Sequence, residues 1–302
     1  MILKENKTIW AVGGGKGGTG KSFISSSLAI QLASQNNDVL TIDADLGGPN
    51  LHTFLGIKEA KSDLGDFVTN KVTKLAETAI PTSFANLKLI KGSENVLFMA
   101  NLNHYKKLRL IRQIKTLEEK RVIIDIGTGS SYNSLDFFLL SNPGILVITP
   151  EPTSIENTYY FLKSCIVRIL NLYMDYYKIE NMTRKIIKEI ENDSKSIYSF
   201  FNTIISYNKS LAQLLYRALK NFKSCLVMNK VRSEKDLLLG YSITDVARKF
   251  LAVELSFVGS IPYDERVHRS LNKFVPFTLE YPDSQVTQSI KLISEKLVEY
   301  GG

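Results

Sequence analysis

Aliphatic residues gather along this chain in short, nearly unbroken runs. They are "TIWAV" from Thr8, "DVLTID" from Asp38, "LKLI" from Leu87, "RVIIDI" from Arg121, "GILVIT" from Gly144, "SCLVMN" from Ser224 and "LSFVGSIP" from Leu255. Such runs predict strands buried on both faces. Between most of them the apolar residues change to helical spacing, as at Ile24, Leu28 and Leu32 within 23–33. Similar patterns cover 105–117, 154–170, 236–251 and 284–300. Strands alternating with helices predict an α/β fold of three layers, a mostly parallel sheet of about seven or eight strands with helices on both faces.

One stretch breaks the alternation. From about 171 to 221 there is no strand-like run, only tyrosines, mixed charges and helical spacing in "MTRKIIKEIEND" and "SIYSFFNTIISYNKSLAQLLYRALKNF". It is expected to be a helical insertion in a single domain spanning 1–302, since no repeat, low-complexity tract or Pro/Gly/Ser linker interrupts the rest. Tyr173, Tyr176 and Tyr177 in it are amphipathic aromatics of the kind enriched at docking surfaces.

Composition narrows the class without naming it. At 44% hydrophobic and 23% charged residues the chain is globular in type. No apolar run reaches the length of a membrane span, and the first ten residues, "MILKENKTIW", lack the apolar core of a signal peptide. The two cysteines, Cys165 and Cys225, form no C-x-x-C pair. The expectation is a reducing, cytoplasmic setting with no structural zinc or cysteine-held cluster in one chain. A net charge of +8 permits contact with DNA or an anionic membrane and requires neither.

The chemistry concentrates in "VGGGKGGTGKSF", Val12 to Phe23. Gly15 to Ser22 fits G-x-x-x-x-G-K-[ST] between a strand and a helix. Glycines let backbone N–H groups close around a β-phosphate, and the helix start adds partial positive charge. In this reading Gly15, Lys16, Gly17, Gly18, Thr19, Gly20, Lys21, Ser22 and Phe23 form the nucleotide cradle. Lys21 reaches the β- and γ-phosphates, and Ser22 offers an oxygen to Mg²⁺.

The further lysine, Lys16, makes "KGGTGKS" resemble the deviant Walker A motif of the MinD/ParA family of P-loop ATPases. "TIDADLGGPNLHTFLGI" is similar to that family's switch I, and "VIIDIGTG" to its Walker B and switch II segment. The D-I-G-T-G of the latter is nearer to the D-L-G-x-G of FlhG/FleN-type members than to MinD, which has a proline where Gly127 stands. The resemblance implies several roles. Lys16 would cross a dimer interface to the partner's nucleotide. Asp45 would position or activate the attacking water, and Asp43 and Asp125 would lie at the metal. Gly129 would present its N–H to the γ-phosphate. "CLVMNKVR" and "VGSIPYDERVHRSLNKFVPF" match the segments around the base. Asn229 would read the adenine edge, Pro262 and Asp264 would pack on base and ribose, and Arg232 would stack on the base.

The same resemblance implies slow Mg²⁺-dependent ATP hydrolysis, an ATP-driven homodimer and an unidentified protein partner. Its cellular role would be a positioning or assembly switch of the FlhG/MinD kind. A ParA-type DNA-segregation ATPase and a scaffold or Mrp-type metal-cluster carrier are the alternatives. Phe23 departs from the pattern, which has a second hydroxyl residue there. Two further helices bear on surface contact. The basic helix at 105–117 is expected to pack through Leu108, Ile111, Ile114 and Leu117. The last helix is expected to pack through Ile290, Ile293 and Leu297, its Lys291 and Lys296 being balanced by Glu295 and Glu299.

Overall fold

The computed structural model describes residues 7–45, 47–93, 102–178, 187, 188, 190 and 196–300. Each aliphatic run becomes a strand: β1 (Thr8–Gly13), β2 (Val39–Ala44), β3 (Ile80–Pro81), β4 (Leu87–Ile90), β5 (Arg121–Ile126), β6 (Gly144–Ile148), β7 (Lys223–Val231) and β8 (Glu254–Pro262). The exception is β3, a two-residue edge strand with no run to announce it; it pairs antiparallel with β4. The order is β3-β4-β2-β5-β1-β6-β7-β8, parallel everywhere else.

Side chains leave the sheet alternately to two cores. Ile9 and Ala11 face one, Trp10 and Val12 the other. On β5, Val122 and Ile124 oppose Ile123 in the same way. Twelve helices stand among the described residues: α1 (Lys21–Ser34), α2 (Leu51–Phe54), α3 (Leu64–Val68), α4 (His104–Thr116), α5 (Tyr132–Phe138), α6 (Pro152–Tyr176), α7 (Ile197–Tyr207), α8 (Lys209–Lys220), α9 (Glu234–Val246), α10 (Arg266–Asn272), α11 (Phe277–Glu280) and α12 (Gln285–Tyr300). α1 and α12 seal one face with Ile24, Leu28 and Leu32 and with Ile290, Ile293 and Leu297. α4 to α8 seal the other. The result is the three-layer, mostly parallel α/β fold that the sequence predicts. No helix of the described residues is long and apolar enough to cross a membrane.

Chain order reverses direction across the sheet at β1. β2 lies beyond β5 on one side, and β6, β7 and β8 continue on the other. The crevice outside the carboxyl ends of such strands is where ligands of open α/β sheets bind.

Three expectations change in detail. The buried face of α4 takes in the expected Ile114 and Leu117, with Ile111 half-buried against the core, and is extended by Lys107 and Leu110 in place of Leu108, which is only half-buried. The face widens because Lys107 buries its stem to reach Asp136 of α5, at 2.5 Å, and Arg168 of α6 binds the same carboxylate at 2.6 Å. α6 runs unbroken through residue 171, where the insertion was expected to begin, as far as Tyr176. Tyr173 packs against the core, while Tyr176 is 79% and Tyr177 49% exposed. The predicted helix at 236–251 starts at Glu234, behind a reciprocal Ser233/Asp236 cap, and ends in a π turn over Ala247–Leu251. Most of "MTRKIIKEIEND" lies outside the described residues.

Candidate nucleotide-binding site

β1 ends at Gly13, the chain loops from Gly14 to Gly20, and α1 begins at Lys21. The turn into α1 needs glycine. Gly20 takes φ 96°, and a Cβ there would lie 2.2 Å from Asn229 Nδ2. The Lys21 ammonium folds back onto the Lys16 carbonyl at 3.3 Å. Burial pushes it below the usual lysine range, and Asp125 and Asp45 oppose that shift.

Two neighbouring strand ends supply the acids. Asp43 of β2 and Asp125 of β5 are register partners. Asp125 Oδ1 accepts from Ser25 Oγ at 3.0 Å, whereas its buried Oδ2 has no hydrogen-bond partner. Burial raises the Asp125 carboxyl to about 6, against the pull of Ser22, Ser25 and Lys21. Asp43 is fully buried; burial and the adjacent Asp125 push it up to about 8. Its oxygens accept the N–H groups of Asp45 (3.1 Å) and Leu51 (2.9 Å), which folds the segment after β2 back and starts α2. Asp45 Oδ1 accepts from Gly47 and Gly48 at 3.0 and 3.2 Å. A Cβ at residue 127 would come 2.7 Å from that same oxygen, so Gly127 lets the segments after β2 and β5 meet. Gly129 adopts φ 86° on the loop before α5.

Lys16 points away from this cluster. Its ammonium pairs with Glu151, at the N-cap position of α6, and donates to Thr153 Oγ1 at 2.8 Å. The ion pair holds the Glu151 carboxyl below its ordinary range.

A cavity of about 250 Å³ runs from Gly18, Lys21 and Ser22 to the ends of β7 and β8. It brings together Gly18, Gly20, Lys21, Ser22, Phe23, Asp45, Asn229, Pro262 and Asp264. Gly15, Lys16, Gly17, Thr19, Asp43, Asp125, Gly129 and Arg232 stand outside its wall. At the far end, apolar Phe54, Ile261, Val267 and Leu271 line a slot suited to a flat ring. The Arg232 guanidinium lies 4.0 Å over the Tyr263 ring, so its face is already covered. Asp264 is bound by Arg266 at 2.7 Å. Phe23 packs edge-on to Phe277 (5.8 Å) and beside Phe54 (6.4 Å), which accounts for an aromatic residue in place of a hydroxyl.

Sequence reasoning passed over Ser25, Glu151, Thr153 and Lys230. Ser25 had a signal, one turn past Ser22 on the same face of α1. Lys230 stands next to Asn229, and its ammonium bonds the Gly18 carbonyl at 2.8 Å. Glu151 and Thr153 had none, being joined to Lys16 only through the fold.

The donor set suits Mg²⁺. Asp125 keeps a buried oxygen free beside Ser22. Among the described residues no three His, Cys, Asp or Glu side chains form a cage. A cation that keeps most of its ligands as water and phosphate needs none.

A glycine-rich loop between β1 and α1, with a buried lysine and strand-end acids at a topological switch point, defines a P-loop nucleotide-binding protein. Residues 10–277 match the CobQ/CobB/MinD/ParA nucleotide binding domain, and the chain belongs to that family of nucleotide-binding ATPases. It is similar to the antiactivator FleN of Pseudomonas aeruginosa, 24% identical over 289 residues covering 95% of this chain and 85% of FleN. It is also similar to an iron–sulfur cluster carrier protein of Saccharolobus solfataricus, 22% identical over 305 aligned positions covering 99% and 86%. The septum site-determining protein MinD of Pyrococcus horikoshii, solved with Mg-ADP, shares the fold at a TM-score of 0.67, with 19% identity and 98% of each chain covered.

Proposed function

We propose that this chain binds Mg-ATP, hydrolyses it slowly, and uses the ATP-loaded state as a face-to-face homodimer that a protein partner recognises. The observation that carries the reading is the half-satisfied Asp125 lying beside Ser22 and buried Lys21, both of which line the cavity at the glycine loop. In this reading Lys21 holds the β- and γ-phosphates and Gly129 donates to the γ-phosphate. Asp45 orients the attacking water. Ser22 and Asp125, with Asp43 behind them, hold Mg²⁺. Bound there, Mg²⁺ would supply charge neutralisation to the phosphate oxygens. Lys16 exchanges Glu151 for the nucleotide of the second copy.

The likeness to the antiactivator FleN supports a regulatory role. The cysteines weigh against the carrier alternative. Cys165 and Cys225 are both buried, and burial raises both thiols, Cys225 to about 12. Neither is placed to share a cluster with a second copy. We also take 1–302 as one domain in which the helices between β6 and β7, with exposed Tyr176 and Tyr177, offer a surface to the partner. Calorimetric titration with Mg-ATP tests the site. Lys21→Ala should weaken binding by about tenfold or more, because a charge-assisted phosphate contact is lost. Equal affinity in the variant would overturn the assignment.

A further inference from the structure

The apolar lining at the far end of the cavity comes from two segments distant in sequence. Ile261, Val267 and Leu271 belong to β8 and α10, whereas Phe54 belongs to α2. A single turn of helix such as α2 does not hold its place by its own hydrogen bonds. It is fastened at both ends instead. At its start the Leu51 N–H donates to Asp43 Oδ2 at 2.9 Å. After it, Gly56 takes φ 72°, and a Cβ there would lie 2.8 Å from the Phe274 carbonyl oxygen. The chain leaving α2 therefore rests on the turn that ends α10.

That turn is itself imposed by its surroundings. Phe274 takes φ 55°, where a bulky residue rarely sits, and its N–H bonds the Leu271 carbonyl at 2.9 Å. The Lys58 ammonium, from the chain after α2, lies 5.8 Å from the Phe274 ring centroid. The backbone contact between Gly56 and Phe274 thus fixes α2 against the end of α10, and the apolar slot keeps its shape without a ligand. Between these anchors Leu51 and Leu55 are fully buried, while Phe54 is only partly covered and faces the cavity. Its ring stands 6.4 Å from that of Phe23, the residue after Ser22. An aromatic face is therefore held ready beside the path that leads from the phosphate loop to the apolar end.

We propose that Phe54 is the stacking residue for the base of the bound nucleotide, a specificity-determining residue that makes affinity depend on a planar heteroaromatic ring as well as on phosphates. This rests on the nucleotide-binding reading above. It also puts part of the base contact on the segment that follows Asp45, so the two ends of the nucleotide meet one stretch of chain.

Binding of Mg-ATP and of magnesium tripolyphosphate is measured by calorimetry on the full chain. The two ligands share a triphosphate, and only one carries a ring. The parent should bind ATP more tightly. Phe54→Ala should weaken ATP by about fivefold, the lower range for loss of one base–aromatic stack, and leave tripolyphosphate affinity unchanged. Phe54→Trp should recover the ATP affinity. Phe54→Leu keeps apolar volume against Phe23 but has no flat face; it should melt with the parent and still bind ATP more weakly. Unchanged ATP affinity in Phe54→Ala would overturn the stacking role. So would an equal loss for both ligands, which would make Phe54 a support of the phosphate loop through Phe23. A parent chain that binds neither ligand would instead refute the nucleotide-binding reading, and the stacking role with it.

Discussion

Behind the glycine-loop end of the cavity Asp125 keeps a buried oxygen without a partner, and Asp43 beside it is pushed up to about 8. At the end formed by β7 and β8, the proposed base end, Asp264 is held by Arg266, and Arg232 covers the face of Tyr263. One end stores electrostatic cost that a divalent cation can relieve. The other is a finished wall, apolar inside with its charges already matched. Ligand binding should therefore change energy at the first end and shape selectivity at the second. Substitutions at the two ends should differ in size and in kind.

The largest effects are expected from Lys16 and Asp45, the groups assigned above to the second copy's nucleotide and to the attacking water. Lys16→Ala should still bind Mg-ATP, since Lys21 and the backbone cradle remain, yet lose turnover by about a hundredfold or more. It should also weaken the ATP-dependent dimer. Asp45→Ala should lose turnover as severely but accumulate that dimer, because the γ-phosphate persists. Light scattering with Mg-ATP alongside phosphate release separates the two, and a Lys16→Ala protein that dimerises and hydrolyses normally would make that lysine a bystander.

A smaller effect concerns stability. Asp43 and Asp125 have folded values above the unfolded carboxylate value, so between about pH 4 and 8 the ligand-free native state binds more protons than the unfolded chain. Their contribution is complete below that window and is lost as the pH rises through it. The ligand-free melting temperature should therefore fall by a few degrees from pH 5 to pH 8. Asp125→Asn, or excess Mg-ATP, should flatten the slope. Acids held low by partners, such as Asp66 and Asp264, act below this range. A melting temperature that rises over the window in calorimetry would contradict the electrostatic contrast.

The smallest effect belongs to the base end. Arg232 sits on Tyr263 outside the cavity wall, so Arg232→Ala should reduce Mg-ATP affinity by only about threefold, the value of an exposed cation–π contact. A loss as large as that of Lys21→Ala would place the guanidinium on the base itself and erase the difference between the two ends.

Local chemistry was legible in the chain because its parts are contiguous. The cradle, its lysine and its hydroxyl fall within Gly15 to Ser22, and the acids sit at the ends of aliphatic runs whose burial is set by composition alone. The same holds for the parallel sheet, since runs such as "RVIIDI" and "GILVIT" cannot face water on either side. The face of α4 is wider than the spacing predicts because spacing counts lysine as polar, whereas Lys107 is buried by its ion pair with Asp136.

Only the tertiary structure decided which distant groups meet. Glu151 and Thr153 hold Lys16 from 135 and 137 residues away, Ser25 reaches Asp125 across 100, and Lys230 grips Gly18 across 212. No periodicity encodes such pairs, since each depends on the order in which parallel strands assemble around β1. The residue types that can bind phosphate are a property of the sequence. Which carbonyls are tied down, and which ammonium stays folded against its own chain, follow from the sheet that brings β1, β6 and β7 side by side.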